Sequence, residues 1–124
     1  MSYNKAKKLY KILQGIKNST PNIEGLILLT WDGLTIASNV RSASEEEYTS
    51  AICATLISLG ENFLDAFNQG LFEYVHVKSK EKGIFLGKII EEVGLVMITK
   101  VEAKLGVLIY ELEKAKVKII DILG

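Results

Sequence analysis

The stretch Ile23-Glu24-Gly25-Leu26-Ile27-Leu28-Leu29-Thr30-Trp31-Asp32-Gly33-Leu34-Thr35-Ile36-Ala37-Ser38 reads as a β-hairpin with an unusually apolar first strand. Asp32-Gly33 sits between two strand-like runs, and such a pair favours a tight turn because both residues tolerate positive φ. Residues 26–29 are apolar at successive rather than alternate positions, so this strand is expected to be covered on both faces and to lie centrally. Residues 94–98 carry the same continuous signature. Two central strands covered on both sides require helices on both faces of one sheet.

The segments on either side supply those helices. Ala6, Leu9, Leu13 and Ile16 recur at helical spacing among lysines, which predicts an amphipathic helix over residues 3–18, ended by Asn18-Ser19-Thr20-Pro21-Asn22. Ser44 with Glu47 three residues on is a capping-box pattern, and predicts a second helix running to about Asn68 with Gly70 closing it. Strands are expected over residues 71–78, 83–90 and 94–100, separated by the turns Ser79-Lys80-Glu81-Lys82 and Glu91-Glu92. A third helix is expected from about Glu102, with Leu105, Leu108, Leu112, Ile119 and Leu123 on one face. The reading is an α+β domain over residues 1–124, three layers deep. Its five-stranded sheet is mainly antiparallel because the turns are short, in the order αββαβββα.

Composition narrows the function. The chain has 124 residues, 48% hydrophobic and 24% charged, enough to close one core without staples. Lys+Arg and Asp+Glu cancel at 15 each, so no basic surplus speaks for nucleic-acid binding. One cysteine, Cys53, cannot form an intrachain disulfide and points to a reducing compartment. Met1-Ser2-Tyr3-Asn4-Lys5 has no apolar stretch behind it, and no apolar run is long enough to span a bilayer, so a cytoplasmic protein without membrane insertion is expected.

Residue patterns for chemistry are sparse. A metal site needs several ligands at suitable spacing, and one cysteine with the lone His76 offers none. The glycines match neither phosphate-binding nor dinucleotide patterns, so no cofactor is expected. Glu45-Glu46-Glu47 and Glu91-Glu92 read as a helix start and a solvated turn rather than as an acid–base pair. Arg41, the only arginine, is either a solvated loop residue or an arginine finger for a GTPase.

The second helix instead carries more apolar surface than a monomer needs. On a helical wheel Tyr48, Ile52, Thr55, Leu56, Leu59, Phe63 and Phe67 form the main stripe, which is expected to face the sheet. Cys53, Ile57, Gly60 and Leu64 form a second stripe more than a right angle away, covered either by a neighbouring segment of the chain or by another subunit. The strand expected at 71–78 reads as a sheet edge, rich in Phe72, Tyr74, Val75 and Val77, with His76 on the alternating face of Phe72 and Tyr74. Such an edge invites pairing with its own copy. The dimer interface expected on these grounds comprises Cys53, Ile57, Gly60, Leu64, Phe72, Tyr74 and His76. The remaining sector, with Ser50, Ala54, Ser58, Glu61 and Asp65, is left for a partner, together with Arg41.

Ile23-Glu24-Gly25, Trp31-Asp32-Gly33-Leu34, the long capped second helix, and Gly94-Leu95-Val96-Met97-Ile98-Thr99 followed by Leu105-Gly106 together resemble the roadblock / dynein light-chain family, within it the MglB-type prokaryotic members. The resemblance spans residues 6–122 and implies a profilin-like three-layer fold. It further implies a homodimer joined through third strands, with second helices adjacent. The role it implies is a non-catalytic regulator of a Ras-like small GTPase, GTPase-activating in some members. A structural adaptor with no effect on GTP turnover is the alternative. A small-molecule sensor is the remotest class, since no convergent polar set marks a pocket.

Overall fold

A computed structural model describes residues 2–124; Met1, the first residue of the stretch read as lacking a leader, lies outside them. The elements are α1 (Tyr3–Ser19), β1 (Ile23–Thr30), β2 (Thr35–Asn39), α2 (Ala43–Phe67), β3 (Tyr74–Lys78), β4 (Lys82–Ile90), β5 (Val93–Lys100) and α3 (Leu105–Leu123). They form one antiparallel sheet in the order β2-β1-β5-β4-β3. The continuous apolar runs behave as expected: β1 and β5 lie side by side inside the sheet and are buried on both faces.

Strand alternation divides those runs between two cores. Leu26, Leu28, Leu95 and Met97 point to the face covered by α1 and α3, where they meet Leu9, Leu13 and Ile16 of α1 and Leu108, Leu112 and Ile119 of α3. Ile27, Leu29, Val96 and Ile98 point to the other face, where they meet α2. Among the described residues no helix is long and apolar enough to cross a membrane.

Several boundaries differ from the sequence expectation. The N-cap of α2 is Ser42, not Ser44: its hydroxyl accepts from the Glu45 backbone N–H at 3.1 Å, so the cap lies two residues earlier, and the Glu45 carboxylate reaches back to the Arg41 backbone N–H at 3.3 Å. The helix stops at Asn68, which takes the left-handed conformation at φ 52°, with Gly70 beyond it at φ 100°. In the β1–β2 turn only Gly33 has positive φ (90°), so Asp32 does not adopt the paired left-handed geometry. The turn is longer than two residues: Thr30 N–H donates to the Leu34 carbonyl and Gly33 N–H to the Thr30 carbonyl, while the Thr30 hydroxyl binds Asp32. The third strand begins at Tyr74, leaving Leu71 and Phe72 in the connection from α2, and α3 begins at Leu105 rather than Glu102.

Candidate interaction surface

α2 lies on the sheet with the opposite rotation to that expected. Cys53 and Ile57, expected in a subunit interface as part of a second stripe beyond what a monomer needs, are 0% and 1% exposed and belong to the core against Ile27, Leu86 and Val96. The main stripe is the one left open: Tyr48, Ile52, Leu59, Phe63 and Phe67 are 71%, 39%, 61%, 62% and 59% exposed. Close packing explains the reversal. A Cβ at Gly60 would stand 2.8 Å from the Phe72 ring, so that side of the helix is a tight contact that only small or well-fitted residues enter. Leu64, on the same side, is half-buried, and Leu56 packs partly against the α2 core.

Phe72 also moves from the expected interface to the protomer's interior. It is buried between Gly60 and Trp31, whose ring meets it edge-on at 5.9 Å between centroids. The other two residues of that expected set stay on β3 and point to the α1–α3 side. Tyr74 stacks on Phe85 at 5.2 Å, and His76, half-buried, meets the same ring edge-on at 6.0 Å. β3 is at the end of the sheet, hydrogen-bonded to β4 alone.

The sector reserved for a partner is only partly free. The β1–β2 turn packs on it: Gly33 sits against Ala54 and the Ser50 carbonyl, and Ser50, buried, shares a 3.2 Å hydrogen bond with Thr35. The Trp31 indole N–H donates to Glu61 Oε2 at 3.1 Å. Ser50, Ala54 and Glu61 therefore anchor the hairpin to α2, whereas Ser58 and Asp65 remain exposed. Trp31 is the hub of this arrangement, a strand-end aromatic packed on a helix. Arg41 is exposed in the loop before α2, with its guanidinium 3.4 Å from Glu45.

A groove of about 920 Å³ runs beside the first half of α2, between Tyr48, Thr49 and Ile52 on the helix and Val77, Ile84 and Ile98 on the sheet, with Arg41 and Lys82 at its rim. Its exposed lining is mostly apolar and adjoins the open stripe at Tyr48 and Ile52, while Glu45 and Lys78 add further charge beside Arg41 and Lys82. Among the described residues no cluster of three or more His, Cys, Asp or Glu is placed to hold a metal.

Burial pushes the Cys53 thiol up to about 12 from the ordinary 9.0. The neutral thiol is unreactive, so alkylation at about pH 8 should leave Cys53 unmodified in the folded protein and modify it quickly in denaturant. The unfolded chain loses this proton first. Stability from this group is thus constant below 9.0 and falls as pH rises from there toward about 12. Rapid native-state labelling by mass spectrometry would show that the α2–sheet contact opens readily.

Five antiparallel strands with two helices on one face and one on the other define a three-layer domain of the roadblock type. The Roadblock/LC7 domain family matches residues 10–99, and the chain belongs to it. Solved structures share its fold. A Roadblock/LC7 domain from Streptomyces avermitilis superposes with a TM-score of 0.86 at 22% identity, covering 92% of this chain and 96% of that one. The gliding protein MglB from Thermus thermophilus gives 0.86 at 13% identity, with 98% and 93% covered. MglB from Myxococcus xanthus gives 0.87 at 14%, with 99% and 92% covered. Curated protein sequences include no match to the chain.

Proposed function

We propose that the protein is a homodimer, joined along its β3 edges and the exposed apolar stripe of α2, and that this dimer is a non-catalytic regulator of a Ras-like small GTPase in the cytoplasm. The observation that carries the reading is the row Tyr48, Ile52, Leu59, Phe63 and Phe67, left uncovered beside an unpaired strand edge. Five large apolar side chains on one helix face are more than scattered surface hydrophobics, and a contiguous patch of that kind marks a contact surface. An antiparallel α2 pair crossing near Ile57 and Ser58 brings Ile52 opposite the partner copy's Phe63 and Tyr48 opposite its Phe67. The apolar groove beside Tyr48 and Ile52 then receives those rings.

Family membership supports the GTPase role. Ser58 and Asp65 on the polar flank of α2, and Arg41 in the loop before its first turn, are the groups left to meet the partner after sheet, hairpin and dimer contacts are assigned. A regulator of this kind biases the partner's switch loops and leaves the hydrolytic groups to the GTPase. Phosphate release by a purified small GTPase of the same organism tests it, with and without this protein. The expected result is saturable binding with a rate change of about tenfold or more, equivalent to roughly 1.4 kcal/mol in the barrier. Binding with an unchanged rate makes the protein a structural adaptor; no binding in either nucleotide state removes the proposal.

A further inference from the structure

The net charge of zero conceals a sorting of charge by layer. α1 holds five lysines (Lys5, Lys7, Lys8, Lys11 and Lys17) and no carboxylate, whereas α2 holds five carboxylates and neither lysine nor arginine. The two helices lie on opposite faces of the sheet. Next to α1, the charges of α3 cancel, and its Glu111 and Glu113 are tied to Lys114 at 3.2 Å and Lys116 at 3.4 Å. The α1–α3 layer therefore carries a formal charge of +5, all of it from α1.

The core fixes which way this charge points. Leu9, Leu13 and Ile16 hold α1 to the sheet along its length, so Lys7, Lys8 and Lys11 are presented outward. Exposed tyrosines stand among the lysines: Tyr3 and Tyr10 on α1, and Tyr110 on α3, with the Lys114 ammonium 5.1 Å from its ring centre. Val107 and Val117 continue the exposed apolar surface along α3.

We propose that the outer face of the α1–α3 layer docks on an anionic lipid bilayer surface, lying on it without insertion. Lysines on an amphipathic helix are drawn to the negative potential of anionic headgroups, and tyrosine places its apolar body and polar tip at that depth. Nucleic acid fits less well. Its recognition favours arginine for bidentate contacts and an element that enters a groove, and this layer is a broad helix pair without arginine. Each lysine near such a surface strengthens binding about fivefold, an effect confined to roughly a Debye length and so weakened by salt. Pairing through β3, which belongs to the proposed dimer, keeps both α1–α3 layers on one side and doubles the basic surface, with the acidic α2 face turned away.

The experiment is co-sedimentation with vesicles of equal parts phosphatidylglycerol and phosphatidylcholine, against phosphatidylcholine alone. It compares wild type with the triple variant Lys7→Glu, Lys8→Glu, Lys11→Glu, after circular dichroism has shown both folded. Binding to the anionic vesicles only, lost at high salt and weakened about 100-fold or more in the triple variant, is the expected result. Wild-type dimer that ignores anionic vesicles at low salt overturns the inference while leaving the dimer intact. Binding retained by the triple variant overturns it too, as does tighter binding to a duplex or single-stranded oligonucleotide at the same salt. A wild-type protein that sediments as a monomer yet binds anionic vesicles removes the dimer and its doubling but upholds the docking surface.

Discussion

Phe63→Asp and Leu59→Asp are each expected to yield a folded monomer. In the protomer both side chains face solvent, at 62% and 61% exposure, so a carboxylate there is hydrated and the two cores are untouched. In the proposed dimer the same carboxylate is taken out of water beside apolar residues, and two-fold symmetry introduces it twice. An unpaired buried charge costs about 3 kcal/mol or more, which weakens association by at least ~100-fold. Sedimentation velocity across a concentration series reads the association, and circular dichroism reads the fold. Variants that remain as dimeric as wild type would place the interface elsewhere, and variants that unfold would mean the stripe contributes to the protomer's core.

That test falls on residues the sequence reading assigned to the sheet, and the reason is physical. Periodicity shows that α2 has two apolar sectors but carries no information on how closely each approaches its neighbour. Giving the sheet the main stripe set Leu59 and Phe63 inside and left Cys53 and Ile57 outside. The structure does the reverse because the sheet contact is tight at Gly60 and Phe72, where bulk is a hindrance. The larger rings are left on the open side of the helix, where the proposed dimer would cover them.

Elements whose information is local were legible. Continuous apolar runs placed β1 and β5 at the sheet centre, Asp32-Gly33 marked the hairpin, and lysine-spaced leucines marked α1. Even there, the geometry of the Thr30–Leu34 turn depended on side-chain bonds that a dipeptide signal does not contain. Ser50 and Glu61 looked like free polar surface because their partners, Thr35 and Trp31, are 15 and 30 residues away in the chain. The sorting of charge between α1 and α2 was open to counting by element, but a whole-chain total of zero hid it.

The complementary prediction concerns Ile57. Ile57→Ala removes a side chain that is 1% exposed among Ile27, Leu86, Val96 and Cys53, and leaves a void in a close-packed layer. Such truncations cost about 2–5 kcal/mol, the range reflecting how far the surroundings collapse. At roughly 3–6 °C per kcal/mol for a chain of this size, melting should fall by about 6 °C or more. Ile57→Asp should not fold, because its carboxylate would have no partner in that core. Neither effect depends on protein concentration, since the contact lies within one protomer. Leu59→Ala behaves differently: it leaves the monomer's stability within about 0.5 kcal/mol and lowers melting only as far as the dimer had raised it. Thermal melts of both alanine variants over a wide concentration range therefore separate the two sides of α2. A concentration-independent loss for Ile57→Ala with a concentration-dependent one for Leu59→Ala fixes the rotation of the helix. The opposite pattern would return Ile57 to the subunit interface and Leu59 to the sheet.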